Sequence, residues 1–100
     1  MSPNLPPPDD SEPVVVPITA ELDLHAFAPR DIPSVVDEYL YAAQRAGLTE
    51  IRVVHGRGRG VQRGIVQGVL EHHPIVEAFW DDHDAHLGAT WCRLAPPATG

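Results

Sequence analysis

The chain has 100 residues, 43% of them hydrophobic, and a formal net charge of −7 from seven basic and fourteen acidic side chains. A chain of this length is limited to one domain with a thin core, which excludes an enclosed pocket for several substrates. No apolar run approaches the roughly 20 residues needed to cross a bilayer, and the start has neither the basic residues nor the apolar stretch of a secretion signal. A soluble cytoplasmic protein with no membrane partner is therefore expected.

Residues 1–17 open with "MSPNLPPPDDSEP", which is rich in proline and acid and poor in core formers. This reads as a flexible tail, with a folded domain over 18–95 and a flexible end at 96–100. In "ELDLH" the pattern alternates, Leu22 and Leu24 pointing one way and Asp23 and His25 the other, which predicts a first strand over Ile18 to His25. Ile32, Val35, Val36, Tyr39, Leu40, Ala43 and Ala46 then recur at helical spacing. They predict a helix from Ile32 to Ala46, capped by Asp31 at its start and closed by Gly47.

The β-branched run "EIRVV" predicts a second strand ending at His55. Val61, Ile65, Val66, Val69 and Leu70 predict a second helix that begins in or just after the glycines and stops before Pro74. "IVEAFW" and "ATWCRL" predict two final strands joined by "DDHDAHLG". The order β-α-β-α-β-β makes a two-layer α/β (α+β) sandwich, with a four-stranded mixed sheet and two helices. Its first two strands should be parallel neighbours and its last two a hairpin. Cys92 is expected as core filler, and as the lone cysteine it suits a reducing compartment.

Charge is unevenly distributed. Six of the seven arginines lie between residues 30 and 64 against four acids, whereas residues 71–84 carry five acids and no arginine or lysine. The positive end is "HGRGRG", where His55, Gly56, Arg57, Gly58, Arg59 and Gly60 join the second strand to the second helix. Glycines remove side chains where backbone amides can approach an anion, and a helix start adds a partial positive charge. With Arg57, Arg59 and Arg63 as counter-charge, the segment reads as a phosphate-binding loop. It lacks the Lys-Ser or Lys-Thr pair of a P-loop and the second half-domain of a dinucleotide fold.

"LDLH" ending one strand, "HGRGRG" entering a helix about thirty residues later and "GAT" before the last strand resemble the Smr (small MutS-related) domain over roughly residues 18–95. The resemblance implies a fold like the C-terminal domain of bacterial translation initiation factor three. It also implies nucleic-acid binding and, in several members, endonuclease activity on DNA or RNA, including cleavage of messenger RNA at collided ribosomes. Asp23 and His25 match the family's "LDLH", and His55, Gly56 and Gly58 match its "HGxG". Ala26 stands where the family usually has glycine. The ATPase and clamp regions of longer relatives are not in these residues, which leaves the proline-rich tail as the candidate for docking on a target.

Parallel strand tips would bring Asp23, His25 and His55 together at one edge, and the chemistry needs all three on one side of the sheet. Two imidazoles flanking a phosphodiester can act as general base and general acid, with Asp23 orienting one of them. Gly56, Arg57, Gly58, Arg59, Gly60 and Arg63 would hold the phosphate. One carboxylate beside the histidines favours RNA cleavage through the ribose 2′-hydroxyl with no cofactor. On DNA the alternative is water activated by a divalent metal such as Mg or Mn.

"DDHDAH" reads as an ordinary loop rather than a metal site, and His72 and His73 as helix-end residues that complement the dipole. Trp80 and Trp91 read as core or rim residues, with no basic residues interleaved to support base stacking. The competing functional readings are a non-catalytic adaptor that docks on RNA or the ribosome, and a protein-interaction module whose acidic segment 71–84 meets a basic partner. Oligomeric state is not encoded in any feature of the pattern.

Overall fold

The computed structural model describes residues 18–56, 60–86 and 88–97. Its elements are β1 (Glu21–Asp23), α1 (Ile32–Arg45), β2 (Glu50–Val54), α2 (Val61–His72), β3 (Val76–Asp81) and β4 (Ala89–Leu94), with short 3-10 turns at Pro29–Asp31 and His83–Ala85. The tails at 1–17 and 98–100, and Arg57, Gly58 and Arg59 of the glycine segment, lie outside the described residues.

The strands form one mixed sheet in the order β1-β2-β4-β3. β1 runs parallel to β2, with Asp23 opposite Val54, and β4 lies antiparallel to both β2 and β3. The expected architecture is thus present, and the final hairpin attaches through β4. That choice follows from composition: Ala89, Thr90, Cys92 and Leu94 of β4 are buried, which suits a central strand, whereas Glu77, Ala78 and Trp80 of β3 are exposed, which suits an edge.

One face of the sheet packs against both helices. Leu24, Ile32, Val36, Leu40, Ala43, Ile51, Val53, Val66, Leu70, Cys92 and Leu94 form the core at 2% exposure or less. Burial pushes the Cys92 thiol up to about 12, in keeping with its expected role as filler. On the other face Trp80 and Trp91 are cross-strand partners. The Arg52 guanidinium lies 5.9 Å from the Trp91 ring and that of Arg93 5.6 Å from Trp80. Basic residues therefore do interleave with these aromatics, contrary to expectation, because strand pairing joins positions remote in sequence. Acids hold them in turn: Arg52 donates to Asp82 at 2.7 Å and to Glu21 at 3.1 Å.

Three other expectations need correction. β1 is three residues long rather than eight: residues 18–20 precede the strand, and at its carboxyl end the Asp23 carboxylate accepts the His25 amide hydrogen at 2.9 Å and turns the chain. Asp31 makes no side-chain cap, since it is itself the last residue of a 3-10 turn that leads into α1, whereas Gly47 closes that helix with φ +86° as expected. His73 is no dipole complement. It is buried, donates through Nε2 to Asp37 of α1 at 2.8 Å and accepts the Ile75 amide hydrogen at Nδ1, tying the end of α2 to α1.

Candidate functional site

β1 and β2 are parallel, so their carboxyl ends share one edge of the sheet. His25 lies two residues past Asp23 on the turn that the Asp23 carboxylate makes. Asp23 Oδ1 also sits 3.0 Å from His25 Nδ1. A carboxylate only accepts, so Nδ1 carries the hydrogen and Nε2 is left free to exchange a proton. The His25 side chain is 82% exposed. Its amide and ring hydrogen bonds hold the Asp23 carboxyl below the usual range.

His55 follows β2 directly. Its amide and that of Gly56 both donate to the Gly88 carbonyl, at 3.0 and 2.9 Å, which roots the glycine segment beside β4. The ring is 3% exposed. Nδ1 lies 3.1 Å from the Gly56 carbonyl and Nε2 2.9 Å from Thr90 Oγ1. Burial is the main cause that pushes its pKa down, reinforced by the Arg63 charge. Gly56 at φ +85° and Gly60 at φ +81° occupy left-handed backbone, which explains why glycine stands at these two positions. Gly60 caps α2, whose first-turn amides have no acceptor within the helix.

A cleft of about 520 Å³ opens here, lined by His25, Pro29, His55, Gly56, Gly60, Val61 and Gln62. It brings the two histidines and the helix start together. Val61, the first of the apolar residues at helical spacing in α2, is 58% exposed at its rim. Asp23 departs from the expected convergence, and the mechanism that required Asp23, His25 and His55 on one side of the sheet fails with it. Paired with Val54, it points to the face away from the helices, whereas His55 points toward them, so the carboxylate reaches the cleft only through His25.

Arg63, expected as free counter-charge, donates to both oxygens of Asp81, through Nε at 2.9 Å and Nη2 at 2.8 Å. That pair holds the Asp81 carboxyl down at about 2. Arg57, Gly58 and Arg59 lie outside the described residues.

Two of the three carboxylates of "DDHDAH" are also committed. Asp81 serves Arg63 and Gln67, while Asp82 serves Arg52 and the Asp84 amide. Among the described residues no group of three or more His, Cys, Asp or Glu could hold a metal ion.

Sequence reasoning missed Gln67, Asp81 and Thr90 as neighbours of His55. Thr90 had a visible signal, being a hydroxyl on the core-facing side of an alternating strand, where it must find a partner.

The fold and cleft define a small two-layer α+β domain whose ligand edge combines two histidines, a glycine turn and a helix start. The chain belongs to the Smr domain family, which matches residues 22–94. It is 36% identical over 76 residues to the endonuclease MutS2 of Thermomicrobium roseum, covering 73% of this chain and 10% of that protein. The MutS2 of Caldicellulosiruptor bescii is 36% identical over 64 residues, which is 8% of its length. The chain thus spans about a tenth of the curated relatives it matches.

The Smr domain of Thermus thermophilus MutS2 superposes with a TM-score of 0.72 at 31% identity, over 76% of this chain and 98% of that one. YdaL, a stand-alone small MutS-related protein of Escherichia coli, shares the fold at a TM-score of 0.70 and 24% identity, over 76% and 64% of the two chains. No helix among the described residues is long and apolar enough to cross a membrane.

Proposed function

We propose that the protein binds single-stranded RNA at the cleft and cleaves it at the phosphodiester held there. The observation that carries the reading is the exposed His25 ring, with Nδ1 fixed on Asp23, beside the glycine turn and the start of α2 in one cleft. Backbone amides and Arg57 and Arg59 would hold the phosphate. His25 Nε2 would take the 2′-hydroxyl proton. The 2′-oxygen then attacks phosphorus, the 5′-oxygen leaves with a proton from solvent, and the product carries a 2′,3′-cyclic phosphate. Asp23 orients the ring by accepting the Nδ1 hydrogen.

The geometry favours His25 over His55 for proton transfer, because both nitrogens of His55 have partners and its ring is covered. Labelled RNA incubated with the protein in chelator tests the proposal. Cyclic phosphate ends that are lost in His25→Ala support it, and activity that returns only with added Mg or Mn points to hydrolysis by a metal-bound water.

A second reading, a non-catalytic adaptor on RNA or the ribosome, is favoured by one observation: of the two imidazoles at the cleft, only His25 is open to solvent. RNA bound and released uncut by the wild type would establish it.

A further inference from the structure

A chain of hydrogen bonds runs from Asp81 to Gly56. Gln67 Nε2 lies 2.9 Å from Asp81 Oδ1 and 3.1 Å from Thr90 Oγ1. Thr90 Oγ1 is 2.9 Å from His55 Nε2, and His55 Nδ1 is 3.1 Å from the Gly56 carbonyl. Both ends of this chain can only accept. The Asp81 carboxylate therefore requires the nitrogen of Gln67 to face it, and the Gly56 carbonyl requires a hydrogen on His55 Nδ1. Every link between them is then determined. Gln67 gives its second hydrogen to Thr90 Oγ1, and Thr90 gives its own hydrogen to Nε2, which accepts.

Thr90 is fully buried, so any other arrangement strands a polar group. If His55 were protonated, Nε2 would donate as well. Thr90 would then face two donors and have no acceptor for its own hydrogen.

We infer that Thr90, supported by Gln67 and Asp81, is a positioning residue that holds His55 as the neutral Nδ1–H imidazole and thereby locks the first peptide of the glycine segment. His55 acts through the loop rather than as a proton carrier. Gly56 is pinned at its carbonyl by the ring and at its amide by Gly88, so the anion-binding residues that follow start from a fixed root. Arg63 extends the tie, since Asp81 holds it and Gln67 at the same oxygen and so couples β3 to the first turn of α2. The binding consequence rests on the RNA reading above, whereas the tautomer does not.

Long-range nitrogen–proton correlation spectra of the histidine rings test the inference on the full chain. In the wild type His55 should show the Nδ1–H form, and His73, which accepts at Nδ1 and donates at Nε2, should show the opposite form as an internal reference. Thr90→Val should give a mixture of the two forms at His55 and weaken binding of a single-stranded RNA oligonucleotide by about three- to tenfold, the worth of one buried hydrogen bond. Thr90→Ser should restore both.

An Nε2–H signal for His55 in the wild type overturns the inference even if Thr90→Val does not fold. So does a Thr90→Val protein in which the His55 signal and the RNA affinity are both unchanged. Wild type that shows the Nδ1–H form but binds no RNA removes the functional reading and leaves the hydrogen-bond chain standing.

Discussion

The ion pair between Arg63 and Asp81 changes how strongly salt should oppose binding. On sequence alone, three arginines surround the phosphate loop, and with a slope of about −0.7 per contact on a single strand the affinity would fall about twentyfold between 50 and 200 mM salt. In the structure the Arg63 guanidinium spends two of its donors on a carboxylate held near full ionisation. On the proposed reading two contacts remain, from Arg57 and Arg59. The expected slope is then about −1.4, a loss of roughly sevenfold over the same range. Fluorescence anisotropy of a labelled oligonucleotide measures it across five or six salt concentrations.

Asp81→Asn releases Arg63 and should steepen the slope by about 0.7, whereas Arg57→Gln should flatten it by the same amount. A wild-type slope near −2 that Asp81→Asn leaves unchanged would show that Arg63 already meets the phosphate and that the pair opens on binding. A flat slope would remove the anion-binding assignment of the loop altogether.

His25→Ala should reduce RNA cleavage by at least about a hundredfold, the lower range for loss of a general base, while oligonucleotide affinity stays within a few fold. Stability should fall on acidification in two windows. His55 has a lowered pKa in the fold, so the unfolded chain takes up its proton first, and the stability it contributes is complete above about pH 6.5 and is lost as pH falls below that value. Asp23 and Asp81 are also lowered, so their contributions are present above about pH 4 and are lost as pH falls below it, for Asp81 down to about 2. Urea midpoints that rise between pH 8 and pH 5 would contradict the His55 assignment. Gly60→Ala should cost about 1 kcal/mol for a left-handed residue and lower Tm by about 4–8 °C, while Gly68→Ala, inside α2 with open space around it, should raise Tm by a similar step.

Much of the fold was legible because its signals are local. The alternation of Leu22 and Leu24, the helical spacing from Ile32 to Ala43 and the β-branched run before His55 each depend on the residue's own neighbours, and the observed elements follow them within a residue or two. β1 is the exception: residues 18–20 stay outside it, and one carboxylate that captures a backbone amide two residues on ends it. The glycine requirement at Gly56 and Gly60 was equally readable, as both adopt backbone that side chains resist.

What the order of residues determined by itself was the set of elements, the glycine turn, and a histidine with an acid two positions before it. Tertiary structure alone decided which groups meet. It set Asp23 and His55 on opposite faces, closed Arg63 onto Asp81, laid Arg52 and Arg93 over the tryptophans, and sealed His55 against Thr90. Each of these contacts joins residues from different elements, and its geometry depends on sheet order and register. Both are set by how the whole core packs, which no local pattern records.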